Sequence, residues 1–133
     1  MDAGFLVALY DRRESLHAVC RRLHAELENP LATCEAVIAE TLHLLQSLPG
    51  AQQSILASID QGILEVPFRL LPSAAKVQTI MEKYSDTPAD FADACLIHMA
   101  DELDTGDILT LDSDFLHYRW RKTRPFNLLI PLD

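Results

Sequence analysis

Apolar positions along this chain recur in blocks of two kinds. Some keep helical spacing over ten or more residues, and others are short apolar runs bounded by Gly, Pro or charge. Glu14 to Glu28 is of the first kind, with Leu16, Val19, Cys20, Leu23 and Leu27 on one stripe, and Asn29-Pro30 stops it. Glu35 to Leu48 repeats the pattern through Val37, Ile38, Thr41, Leu42, Leu45 and Leu48, and Pro49-Gly50 ends it. Gln52 to Gln61 predicts a third helix. Ser73 to Tyr84 predicts a fourth, with Pro72 just ahead of it and Ser73 as its cap. Thr87-Pro88 leads into a fifth, which ends near Thr105-Gly106. The short runs Leu31–Cys34, Ile63–Phe68, Asp107–Leu111 and Phe126–Ile130 read as strands, and the chain opens on a further apolar run, Phe5–Tyr10. Short apolar strands alternating with helices predict an α/β fold with a mostly parallel sheet. No repeat, low-complexity tract or linker divides the 133 residues, so one domain over 1–133 is expected.

Several carboxylates break this pattern. In the helix that follows Pro88, Ala89, Leu96, Ile97 and Ala100 lie three, four or seven residues from Asp93 and share its face. A carboxylate on an apolar face is costly to bury unless it is paired or coordinates a metal. Asp112 directly follows Ile108-Leu109-Thr110-Leu111, at the carboxyl end of a strand, where open α/β sheets bind ligands. Glu40 lies within a turn of Ala36, Val37 and Leu44, close to a core-facing stripe, and Asp2 stands where a preceding strand would end. Each has a local explanation as well. Asp2 is a candidate N-cap for Ala3-Gly4-Phe5, Glu40 can reach water from the stripe's margin, Asp114 can cap a last short turn, and Asp90 can cap or flank the central helix. Taken together they fit one cleft, where mutual repulsion would raise their pKa values. A hard divalent cation with oxygen ligands, Mg²⁺ or Mn²⁺, resolves that repulsion.

Charge changes this picture in one respect. A net charge of −9 argues against broad, nonspecific nucleic-acid binding. Yet most of the cations fall in two clusters, Arg12, Arg13, Arg21 and Arg22 near the start and Arg119, Arg121, Lys122 and Arg124 near the end. Positive charge clustered beside clustered acids suits an enzyme that holds metal ions and handles a polyanion; two solvated faces are the plainer explanation. No apolar run approaches the roughly 20 residues that span a bilayer, and no secretory signal opens the chain, so no membrane association and a cytoplasmic location are expected. Cys20, Cys34 and Cys95 form no CxxC and read as reduced, buried thiols. His17, Cys20 and His24 share a helix face, but no fourth ligand is near in sequence, so packing is preferred to zinc.

The order of Asp2, Glu40 in TCEAVIAETL, Asp93 in DFADACLI, and Asp112 and Asp114 in ILTLDSDF resembles the PIN domain family, especially the VapC-type ribonucleases of bacterial toxin–antitoxin systems. ADACL and LTLDSDF are the most specific pieces, and the resemblance extends from the LVALYDRRE opening to the FNLLIPL ending. It implies a three-layer α/β/α fold and a metal-dependent endoribonuclease. It also implies Asp2, Glu40, Asp93 and Asp112 as catalytic, metal-binding acids, with Asp114, Asp90 and Thr110 in support. Arg119, Arg121, Lys122 and Arg124 would hold the RNA backbone. Ala3 stands where relatives often have Thr or Ser. Only Met1 precedes Asp2, where the family places an apolar strand; either the start lies upstream or that strand is truncated, which bears on where Asp2 falls. Partners implied are RNA, an antitoxin-type protein and, from the apolar residues of the first two helices, a second copy of the chain. The competing expectation is a catalytically weak PIN-like binding module that acts through a homodimer or an antitoxin-type partner.

Overall fold

A computed structural model describes residues 1–87 and 89–132; Pro88, the expected lead into the central helix, and Asp133 lie outside the described residues. The described residues form six helices, α1 (Ala3–Tyr10), α2 (His17–Glu26), α3 (Glu35–Leu44), α4 (Ala51–Asp60), α5 (Leu70–Lys83) and α6 (Phe91–Leu103). The strands are β1 (Leu31–Ala32), β2 (Leu64–Glu65), β3 (Asp107–Ile108), β4 (Arg119–Trp120), β5 (Arg124–Pro125) and β6 (Asn127–Leu128), and a 3₁₀ turn, η1 (Ser113–Leu116), precedes β4.

The opening apolar run is a helix. Asp2 caps α1 by accepting the Phe5 N–H, and Ala3, Phe5, Leu6, Ala8 and Leu9 are all buried, so α1 is a core helix wetted along little of its surface. It packs against α2 and α3, while α5 packs against α6. α3 ends four residues before the expected Leu48, and its last turn tightens through Gln46 N–H to His43 O and Leu48 N–H to Leu45 O. α5 starts at Leu70, earlier than Pro72 and Ser73 suggested. Pro72 is tolerated in its first turn because that N–H has no partner within the helix. Ser73 is therefore no cap: it is buried and its hydroxyl donates to Glu102 Oε1 at 3.4 Å.

β1 runs parallel to β2 with Leu31 opposite Leu64, and β3 runs parallel to β6 with Ile108 opposite Leu128. Flanking bonds, Thr33 N–H to Glu65 O and Leu129 N–H to Ile108 O, lengthen both pairings towards the expected runs. Met1 and Asp2 bridge the two pairs. The Met1 amino group donates to Ala32 O at 2.9 Å, Thr33 Oγ1 donates to Met1 O, and Asp2 N–H donates to Leu109 O at 3.2 Å. Bonds from Met1 and Asp2 thus fix Asp2 at the carboxyl edge of β3. The α/β class with parallel pairing holds. Cys20, Cys34 and Cys95 are free and buried, as expected. His17 Nδ1 lies 2.8 Å from Ala8 O and holds α2 to α1.

The antiparallel β4–β5 hairpin was not anticipated. Trp120 anchors it: the indole lies so close to Gly106 that a Cβ there would fall 2.2 Å from Nε1, which only glycine permits. Its tip is strained. Arg121 (φ 45°) and Lys122 (φ 70°) both occupy the left-handed region, where neither Gly nor Asn is present to relieve it.

Candidate active site: an acidic cleft without cations

A cleft of about 510 Å³ opens at the carboxyl edge of β3, and Asp2, Glu40, Asp90, Asp93, Asp112 and Asp114 all line it. They come from four segments. Asp2 precedes α1, Glu40 projects from α3, Asp90 and Asp93 belong to the start of α6, and Asp112 and Asp114 bracket the entry to η1.

Local backbone needs hold most of them in place. Asp2 Oδ1 accepts Phe5 N–H at 3.1 Å while Oδ2 accepts the Thr110 hydroxyl. Thr110 Oγ1 in turn accepts Asp112 N–H at 2.9 Å, and Asp112 Oδ1 accepts Asp114 N–H at 2.9 Å. A single line of hydrogen bonds therefore runs from η1 back to α1. The fully buried Thr110 is its hinge. Asp90 caps α6 by accepting Asp93 N–H at 2.8 Å, and Asp93 Oδ2 accepts the Tyr118 hydroxyl at 3.2 Å. Glu40 is exposed and reaches the cleft from the margin of its stripe.

None of the six acids forms an ion pair; the salt bridges among the described residues are Arg13–Asp11, His98–Glu102 and Arg121–Asp104. The electrostatics follow. Burial, then the neighbouring Asp90, pushes Asp93 from 3.8 up to about 7, against the opposing Tyr118 bond. Burial raises Asp2 as well, with the Thr110 and Phe5 bonds opposing it, and burial followed by Asp90 and Asp2 raises Glu40. Asp11 shows the contrast: the Arg13 guanidinium that binds it holds its carboxyl below the usual range.

The donor set is all oxygen, with no His or Cys lining the cleft, which fits a hard cation such as Mg²⁺ or Mn²⁺ and not zinc. Among the described residues no three such side chains are already drawn together as a closed metal-binding group.

Two of the anticipated elements separate. Arg119, Arg121 and Lys122 lie outside the acidic cleft, in a neighbouring pocket that Asp101 and Tyr84 also line. Arg124 lines neither; its guanidinium stacks on Trp120, 5.1 Å from the ring centroid. Tyr118 was missed. It is fully buried, and burial followed by Asp93 raises its own pKa. An aromatic between His117 and Arg119 carries no local signal that its hydroxyl will meet a carboxylate 25 positions earlier.

Residues 1–121 match the PIN domain, and the chain belongs to that family. Among characterised relatives, it is 28% identical over 114 residues to ribonuclease VapC26 of Mycobacterium tuberculosis, covering 84% of each protein. Its fold matches the crystal structure of Mycobacterium tuberculosis VapC20, a sarcin-ricin loop cleaving toxin, with a TM-score of 0.80 at 21% identity, over 93% of this chain and 97% of that one.

Proposed function

We propose that this chain is an Mg²⁺- or Mn²⁺-dependent endoribonuclease that hydrolyses RNA phosphodiester bonds, and that it acts in the cytoplasm as the toxin of a toxin–antitoxin pair. The observation that carries the reading is the cleft itself: six carboxylates, none paired with a cation, three of them with raised pKa values. So costly an arrangement is expected where a bound cation repays it. The family membership and the ribonuclease relative support the same reaction.

Asp2, Glu40, Asp93 and Asp112 would hold the cation, which when bound supplies Lewis-acid activation of the phosphodiester and of water. Asp114 and Asp90 support them through the backbone bonds they make and receive. Thr110 fixes the Asp2 carboxylate by donating to Oδ2, and Tyr118 fixes Asp93 in the same way. With a pKa of about 7, Asp93 carries a proton about half the time at neutral pH, and loading a cation requires it to leave.

The test is cleavage of a mixed RNA pool with Mg²⁺, Mn²⁺ or EDTA, comparing the wild type with Asp93→Asn. Cleavage should need the metal and fall by roughly 100-fold or more in the variant. A folded wild type that neither cleaves RNA nor binds either metal overturns the enzyme reading in favour of a binding module. One observation gives that second reading substance. Leu70 (45% exposed), Leu71 (88%) and Phe91 (40%) form an apolar surface where α5 and α6 begin, suited to a second copy or an antitoxin-type protein.

A further inference from the structure

Beside the acidic cleft, α5, α6 and the β4–β5 hairpin enclose a pocket of about 470 Å³ lined by Lys76, Lys83, Arg119, Arg121 and Lys122. Lys76 and Lys83 belong to neither basic cluster of the sequence; the fold brings them to the second cluster. Arg121 is committed, its guanidinium to Asp104 at 2.9 Å and its N–H to Asp101 at 2.6 Å. The other four have no carboxylate partner among the described residues. In a chain of net charge −9, four cations outside any such pair, lining one concavity beside Asp101, stand out. This holds even with the Arg119 guanidinium donating to Leu116 O and Tyr118 O.

Two further features tie the pocket to the cleft. Tyr84, which lines the pocket, packs edge-on against Tyr118 with ring centroids 5.1 Å apart, and its hydroxyl accepts Arg119 N–H at 2.8 Å. Tyr118 in turn donates to Asp93, so one aromatic pair separates the pocket from the acids. The hairpin tip is also held there at a cost. Arg121 and Lys122 keep positive φ, while Lys83 Nζ, donating to Lys122 O at 2.9 Å, ties the tip to α5. Strain of this kind persists where surrounding structure imposes it, and it collects at binding sites.

We propose that this pocket is a phosphate clamp for single-stranded RNA. It takes a backbone phosphate away from the scissile one, and the strand between them passes the partly exposed Tyr84, beneath which Tyr118 is buried. The clamp rests on the ribonuclease reading and deepens it. It moves the main backbone contact from the second basic cluster alone to α5 together with the hairpin, and it leaves Arg124 out. Cations of this kind set position and salt dependence rather than sequence preference.

The experiment measures binding of a fluorescein-labelled 12-nucleotide single-stranded RNA to the Asp93→Asn protein across a salt series. Lys76→Gln with Lys122→Gln removes two pocket charges whose side chains make no hydrogen bond among the described residues. Arg12→Gln with Arg22→Gln removes the same charge elsewhere. The pocket pair should weaken binding about tenfold and flatten the salt slope by about one, while the distant pair changes neither. Equal losses from both pairs, or no loss from the pocket pair, overturn the clamp and leave the ribonuclease reading standing if the wild type still cleaves. No RNA binding together with no metal-dependent cleavage overturns both.

Discussion

On one side of Tyr118 lie six carboxylates, and on the other lie five cations; the two groups are held in place by different means. Asp2, Asp90 and Asp112 satisfy backbone N–H groups at the starts of α1, α6 and η1, so the residues that form the cleft also begin the elements that shape it. A capping role and a site role looked like alternatives in the sequence. In the structure the two are compatible. Asp90 and Asp112 each cap through Oδ1 and leave Oδ2 unbonded among the described residues, while Asp2 has both oxygens engaged, by Phe5 N–H and by the Thr110 hydroxyl. Among the cations, Arg119 satisfies the carbonyls of Leu116 and Tyr118, but none caps the start of a helix. They depend on a strained tip and on a helix almost forty residues earlier, joined through Lys83 and Lys122. The acidic side is therefore locally robust and electrostatically costly, whereas the basic side carries a conformational cost at its tip.

The electrostatic cost can be measured first. Native Asp93 binds a proton up to about pH 7, whereas in the unfolded chain it releases it near its ordinary 3.8. With the native pKa raised, its stabilising contribution is full below pH 4 and is lost as pH climbs to 7. Asp93→Asn should therefore raise the melting temperature of the metal-free protein progressively from pH 4 to pH 7, then hold the gain. At pH 8 the gain should be about 1–2 kcal/mol once half-exposure is discounted for solvent screening, or several degrees. Saturating Mg²⁺ should reverse the order, stabilising the wild type alone. Melting curves in EDTA and in Mg²⁺ decide this. A variant less stable than the wild type at pH 8 without metal would show that the acidic side carries no such cost.

What could be read from the sequence follows the same division. α2, α3, α4, α6 and the four parallel strands were legible because spacing and stop signals are local. Four acids of the cleft (Asp2, Glu40, Asp93 and Asp112) were legible because they interrupt that spacing or end a strand, and Asp90 and Asp114 came with the family resemblance. Glu40 was the least secure of the set, and the fold puts it at the cleft's exposed margin. The helical nature of Phe5–Tyr10 was not legible: burial on nearly every side erases the amphipathic stripe that would mark it. Nor was the hairpin, since Arg121-Lys122 is not a turn sequence, and the aperiodic stretch from Arg119 to Arg124 read only as a basic cluster. Tyr118 and the α5 lysines depend on contacts between segments far apart in the chain, which no local pattern encodes.

The conformational cost is the next to break. Replacing the tip by Asn-Gly, Arg121→Asn with Lys122→Gly, supplies residues that adopt positive φ readily. Each left-handed residue costs roughly 1 kcal/mol, and the Arg121–Asp104 surface pair returns less than that. Denaturant unfolding should show the variant more stable by about 1 kcal/mol, while its affinity for the 12-nucleotide RNA falls. A destabilised variant would mean that the two cations hold the hairpin together, and the basic side would then be scaffold rather than strained surface.

The smallest effect lies on the boundary between the two sides. Tyr118 donates to Asp93 Oδ2 and thereby holds the Asp93 pKa below what burial and Asp90 alone would give. Tyr118→Phe keeps the buried ring and removes the donor. The Asp93 pKa should rise, so the acid limb of the cleavage profile at limiting Mg²⁺ should move up by about half a pH unit, with little change at saturating metal above pH 8. A variant that merely loosened packing would lower the rate at every pH without moving the limb. An unmoved limb with normal folding would place Asp93 outside the groups that govern metal loading, and the acidic side would then be organised around Asp2 and Asp112 instead.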